Sequence, residues 1–113
     1  MHKIFSMPVS TVYPLYIAKL ARKGRTSNEL DEVMRWLTGF SDVQLRHHID
    51  NDSTFREFFE DARINPNATL ITGLICGVRI EEIDDPLMKK IRYMDKLVDE
   101  LAKGRPMEKV LRH

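Results

Sequence analysis

The sequence predicts an all-α fold, a compact single-domain bundle of five or six helices with a long C-terminal helix. Three observations favour this fold class. Apolar residues recur every three or four positions along most of the chain, as they do on the buried face of a helix. Helix start and stop signals separate these stretches. The 113 residues, 42% hydrophobic and 31% charged, suffice for one domain, residues 1–113, with a core of its own.

The first helix is expected to begin at about Val12, with Thr11 as its cap. Pro14 would then lie in the first turn, where a missing backbone N–H costs little. Apolar and aromatic side chains follow at helical spacing, and the last turn is basic, which suits the helix dipole. Gly24 is expected to end this helix.

Two capping boxes mark the second and third helices. Thr26 with Glu29 opens a helix that ends at Gly39, and Ser41 with Gln44 opens a shorter one. In each box the hydroxyl accepts a hydrogen bond from a backbone N–H three residues later, and the longer side chain accepts one in return. Both helix starts are therefore predicted from local sequence alone.

A fourth helix is predicted over Thr54–Ala62, where three phenylalanines share one face. The segment 68–83 is ambiguous because many of its apolar residues are β-branched. Its pattern predicts a helix from Ala68 to Cys76, with Gly77 as the C-terminal stop. A short hairpin through Gly77 is the alternative.

The longest helix is predicted from Pro86, after the cap Asp85, to Lys103, before Gly104. Met107–Leu111 could form one more helical turn. The apolar residues of the long helix step by four and three, as in a heptad seam: Leu87, Ile91, Met94, Val98 and Leu101. This seam either packs inside its own domain or joins two copies in a homodimer, for which it is short. The predicted core contains Leu30, Val33, Leu37, Phe55, Phe58, Phe59, Leu70, Leu74, Ile91, Met94, Val98 and Leu101.

The formal net charge of +1 conceals two opposed blocks, +5 over residues 1–28 and −6 over residues 29–62. They could face each other within one fold or between two protomers. The second and third helices outline a helix-turn-helix, from which Gln44, Arg46 and His47 could reach base edges. Because that unit lies in the acidic block, nucleic-acid binding is disfavoured.

No apolar run is long enough to span a membrane, and the N-terminus lacks the pattern of a secretion signal. The single cysteine, Cys76, fits a reducing compartment. We therefore expect a cytoplasmic protein without membrane association.

The sequence offers no convincing catalytic or metal-binding residues, and it predicts no cofactor. His47 and His48 are neighbours, so on a helix they point about 100° apart and are expected to lie on a solvated polar face. Cys76 is expected to be a small buried hydrophobic residue, because its neighbours are apolar. The acidic run Glu81, Glu82, Asp84 and Asp85 is expected to cap and stabilise the N-terminus of the long helix, where the helix dipole favours negative charge.

A small-molecule pocket is the alternative that the aromatic and basic residues allow. It would form near the N-terminal helix and Cys76, where six side chains would have to converge: Tyr13, Tyr16, Lys19, Cys76, Arg79 and Tyr93.

Several stretches together carry a resemblance to a known family: residues 1–16, Trp36-Leu37-Thr38-Gly39, Arg63-Ile64-Asn65-Pro66-Asn67, Ile75-Cys76-Gly77, Asp85-Pro86-Leu87-Met88 and Ile91-Arg92-Tyr93. The chain resembles a family of small bacterial proteins known as domain of unknown function 2200. The resemblance covers essentially the whole sequence. It implies a bacterial cytosolic protein consisting of this domain alone, and it implies no reaction, cofactor or catalytic residue.

The function expected from the sequence is that of a non-enzymatic interaction module. It would self-associate as a homodimer, or bind another protein, through helix faces near Met94 or the aromatic N-terminal helix. The alternatives are a small-molecule-binding protein or enzyme with the pocket described above, and a weak nucleic-acid binder.

Overall fold

The structure, a computed structural model, describes residues 2–113 and confirms the all-α class. These residues form six α-helices, three short 3-10 helices and one small antiparallel hairpin. The α-helices are α1 (Val9–Ala21), α2 (Ser27–Thr38), α3 (Asp42–Asp50), α4 (Phe55–Asp61), α5 (Pro86–Ala102) and α6 (Met107–Val110). The hairpin strands are β1 (Leu74–Ile75) and β2 (Val78–Arg79), and the 3-10 helices are Lys3–Ser6, Pro66–Leu70 and Ile80–Glu82. No helix within residues 2–113 combines the length and the apolar character that crossing a bilayer requires.

Both predicted capping boxes are present, and a third opens α4. Thr26 and Ser41 accept from the backbone N–H of Glu29 and Gln44, whose side chains accept in return. Thr54 and Glu57 make the same pair of bonds at the start of α4. Each box satisfies two N–H groups that the helix itself cannot.

The predicted start of α1 is wrong by one turn, because the helix begins at Val9 and Thr11 is not its cap. Long-range pairing fixes the earlier start. The Val9 N–H donates to the carbonyl of Ser53 at 2.8 Å, and the Phe55 N–H donates to the carbonyl of Met7 at 3.0 Å. Pro14 consequently lies in the helix interior, on an exposed face where water can satisfy the carbonyl one turn earlier.

The predicted helix from Ala68 to Cys76 is also wrong, and the hairpin alternative is correct. After the 3-10 helix, β1 pairs with β2 through Cys76 and Gly77 at the turn. Both turn residues have positive φ, +51° and +77°, which is the geometry of a tight two-residue hairpin. As a result Leu70 and Leu74 are exposed, and so is Cys76, which is not the buried residue expected.

The other ten predicted core residues are buried. In α5, four of the five seam residues are at most 1% exposed in the single chain: Ile91, Met94, Val98 and Leu101. The fifth, Leu87, is partly buried against the same core. These side chains pack against the protein's own α1, α2 and α4, so the four buried seam residues have no surface left for a second copy.

The end of α2 allows a direct test of local packing. Gly39 has φ +73°, and a Cβ added there would lie 2.9 Å from the carbonyl oxygen of Arg63. That carbonyl cannot move easily, because the Arg63 N–H donates to the Thr38 carbonyl at 2.8 Å. Gly24 has a nearly identical φ of +74° but nothing within 4 Å of the added Cβ.

We expect Gly24→Ala to lower the free energy of unfolding by about 1–2 kcal/mol, the cost of a left-handed alanine. Gly39→Ala should lower it by that amount plus about 1–3 kcal/mol for the steric clash. Urea denaturation of the two variants measures the difference. If the two variants lost the same free energy of unfolding, the Arg63 carbonyl would not lie as close to Gly39 as 2.9 Å from the added Cβ.

Candidate functional site

The six predicted ligand-binding residues do not converge in one pocket. Tyr16, Lys19 and Cys76 lie near the junction of α1, α5 and the hairpin, whereas Tyr13 faces α2 and α3. Two others lie elsewhere: Arg79 pairs with Glu81 on the outer hairpin, and Tyr93 lines a separate groove.

The junction of α1 with α5 is held by hydrogen bonds rather than left open for a ligand. The Tyr16 hydroxyl donates to Asp95, which also accepts from the Arg92 guanidinium at 3.0 Å. Burial, followed by the negative charge of Asp95, raises the pKa of Tyr16 well above its usual value. Lys19 forms a longer ion pair, 3.4 Å, with Asp99 one turn further along α5.

A second network ties α1, α2 and α3 together around a buried carboxylate. Asp31, 6% exposed, accepts hydrogen bonds from the Tyr13 hydroxyl and from Arg46. Burial, and then the hydrogen bond to Asp31, raises the pKa of Tyr13. A buried carboxylate needs such partners, so we interpret this network as structural. Since Arg46 is held by Asp31, it is not free to read bases, which removes the central residue of the helix-turn-helix hypothesis.

The two histidines of α3 differ in their surroundings. His47 is exposed, but His48 is 8% exposed, so the expectation that both lie on a solvated face is wrong. The His48 ring stacks on Phe40 with centroids 4.9 Å apart, and its two nitrogens lie 2.8 Å from Ser53 Oγ and 2.7 Å from an oxygen of Asp61. Within residues 2–113, no three His, Cys, Asp or Glu side chains converge as metal ligands.

The segment after α4 carries several exposed apolar side chains, on both faces of the hairpin. Five large hydrophobic side chains are exposed among the described residues, and three of them, Leu70, Leu74 and Val78, lie between positions 70 and 78. Arg79 and Glu81 are about half exposed beside them. We call these five residues the hairpin surface. Lys96 of α5 anchors it by donating to the Leu74 carbonyl at 3.1 Å.

The second surface feature is a groove between α5 and the loop that follows α4, with a volume of about 270 Å³. Its α5 wall is a helical stripe at i, i+3, i+4 and i+7: Pro86, Lys89, Lys90 and Tyr93. The opposite wall is Ile64, Asn65, Pro66, Ala68 and Thr69. We call this the Tyr93 groove. The stripe is visible in the sequence, but the opposite wall depends on how a loop packs.

The tyrosines provide a test of which hydroxyls are structural. Tyr16→Phe removes a hydrogen bond to a carboxylate, so we expect the free energy of unfolding to fall by about 1.5–3 kcal/mol. Tyr93→Phe is the matched control, because the Tyr93 hydroxyl has no hydrogen-bond partner among residues 2–113 and its loss should change stability little.

Because the folded-state pKa of Tyr16 is raised, its contribution is fully present below about pH 10, the unfolded value, and is lost as the pH rises through the folded value. Denaturant titrations of wild type and both variants at neutral and alkaline pH measure these effects. Equal stability of the two variants would contradict the structural role of Tyr16.

Comparisons with known proteins agree with this description of the fold. A solved structure, "Crystal structure of uncharacterized protein SP1917", superimposes with a TM-score of 0.91 at 47% sequence identity, covering 98% of this chain and 93% of the other. No curated protein matches the sequence. A family model described as "Uncharacterized protein conserved in bacteria (DUF2200)" matches residues 3–112. The chain therefore belongs to the bacterial family DUF2200, as its sequence motifs predict.

Proposed function

We propose that this protein is a non-enzymatic interaction module that associates with a second copy of itself through the hairpin surface. The observation that carries the proposal is the concentration of exposed apolar side chains, Leu70, Leu74 and Val78, in one short segment. Exposed apolar side chains are unfavourable in water, and a concentration of them is typical of sites where proteins meet. The proposal moves the interface from the α5 seam, which is internal, to the hairpin.

The charges beside the apolar residues favour a second copy as the partner. Arg79 and Glu81 carry opposite charges and remain about half exposed. In a two-fold symmetric dimer each surface meets itself, so Arg79 of one copy can face Glu81 of the other. A surface that holds both signs of charge is self-complementary under this symmetry, whereas a strongly charged partner would leave one of the two residues opposed by a like charge.

The polar clusters support a non-enzymatic role. Tyr13, Tyr16, Asp31 and Asp95 are engaged in hydrogen bonds that join helices. Such groups stabilise the fold, and none of them lines the Tyr93 groove. The exposed thiol of Cys76 fits the reducing cytoplasm that the proposal assigns to the protein.

Light scattering of the purified protein tests the proposal. We expect a dimer that persists from low salt to about 0.5 M salt, because screening at that ionic strength weakens ion pairs but not apolar contacts. Leu74→Asp should give a folded monomer with nearly unchanged thermal stability, since Leu74 is 54% exposed in the single chain.

The matched control is Val43→Asp, which changes an even more exposed apolar residue, on α3 and outside the hairpin surface. That variant should remain a dimer. A wild-type protein that is monomeric at both salt concentrations would overturn the proposal, and so would a Leu74→Asp variant that remains dimeric.

A further inference from the structure

We propose that the Tyr93 groove binds a small organic acid, with the apolar body of the ligand in the groove and its carboxylate at Lys89 and Lys90. This site is separate from the hairpin surface, and the proposal does not depend on self-association. Three properties of the groove carry it: a largely apolar lining, two lysines without a direct ion pair, and a buried tyrosine whose hydroxyl has no hydrogen-bond partner among residues 2–113.

The lining favours an apolar ligand body. Ile64, Pro66 and Pro86 contribute apolar surface from both walls. The volume of about 270 Å³ lies just below the range of about 300–1,000 Å³ typical of pockets for drug-sized ligands. The groove therefore suits a molecule with one ring or a short aliphatic chain.

The loop wall is held in place before any ligand arrives. The Asn65 N–H donates to the Leu37 carbonyl at 3.0 Å, and the Asn65 side chain accepts from the Asn67 N–H at 2.9 Å. Ala68 is 1% exposed and fixes the 3-10 helix to the core. Because this wall is already ordered in the free protein, less conformational entropy is lost when a ligand binds.

The two lysines supply positive charge that no direct ion pair neutralises. Lys89 and Lys90 are both partly buried, and neither forms an ion pair with any residue from 2 to 113. Lys19 and Lys103, by comparison, pair with Asp99. Placing cations beside an apolar groove favours a ligand that carries an anion next to an apolar group.

Tyr93 adds a directional donor. The residue lines the groove and is 6% exposed, and its hydroxyl has no hydrogen-bond partner among residues 2–113. Burial raises the pKa of Tyr93, so the phenol keeps its proton at neutral pH and can donate to a carboxylate oxygen. In the proposed site, the hydroxyl and the two ammonium groups together bind the carboxylate of the ligand.

The experiment uses phenylacetate as the probe, titrated into the full-length protein and followed by two-dimensional ¹H–¹⁵N NMR. We expect saturable shifts in the amide signals of residues 64–69 and 89–93. Phenylacetamide, which has the same shape without the charge, should bind at least about tenfold more weakly, the loss expected for a charge-assisted hydrogen bond.

The variants assign the binding to the groove. Lys89→Met and Lys90→Met, which keep the apolar stems, and Tyr93→Phe should each weaken phenylacetate binding several-fold. Lys109→Met, which removes an exposed lysine outside the groove, should not. Absence of saturable shifts, equal binding of phenylacetamide, or affinities unaffected by the groove variants would each overturn the proposal. A ligand-binding monomer would leave this inference standing and overturn only self-association.

Discussion

Burial of the inner face of α5 is the constraint on which the rest of the fold depends. The helices α1, α2, α4 and α6, the first hairpin strand and the 3-10 helix Ile80–Glu82 all pack against α5. Met94 and Leu97 at its centre are completely buried. At roughly 25 cal/mol per Å² of apolar surface removed from water, this face is a main source of the stability that holds the shorter helices in place. Those helices are too short to be stable alone.

The packing of α5 against the core determines which neighbouring elements its outer sides contact. One side carries the carboxylates of Asp95 and Asp99, which bind α1 through Tyr16 and Lys19. Another side forms the wall of the Tyr93 groove. At the C-terminal end, buried Glu100 accepts from the Arg112 guanidinium at 2.8 Å and ties the chain after α6 to the bundle. The opposed charge blocks of the sequence meet within one chain at Arg25 of the basic block, which pairs with Glu29 of the acidic block at 2.8 Å.

The features that sequence predicted well are those fixed by neighbouring residues. The capping boxes at Thr26 and Ser41 depend on side chains three residues apart, and Gly39 ends α2 because a left-handed residue is needed there. The start of α1 was not predictable in this way, because it depends on hydrogen bonds to Ser53, more than forty positions later in the chain.

The candidate surfaces show the same division between local and long-range causes. The stripe of Lys89, Lys90 and Tyr93 follows from helical periodicity. It becomes one wall of a groove only because the loop at residues 64–69 packs opposite it. The heptad seam correctly marked a buried face without indicating whether that face met its own domain or a second copy. In segment 68–83, the spacing of apolar residues favoured a helix, whereas the β-branched residues favoured strands. The structure has a hairpin there, because Cys76 and Gly77 form its turn.

The most direct test of the central role of α5 is Met94→Lys, examined by chemical denaturation together with light scattering. Met94 is 0% exposed, so the substitution places an unpaired charge in the core. We expect the free energy of unfolding to fall by about 3–5 kcal/mol. The molecules that remain folded should keep the wild-type assembly state. A stable, folded protein whose only change is conversion from dimer to monomer would contradict the account, because it would mean that the α5 seam lies between two copies.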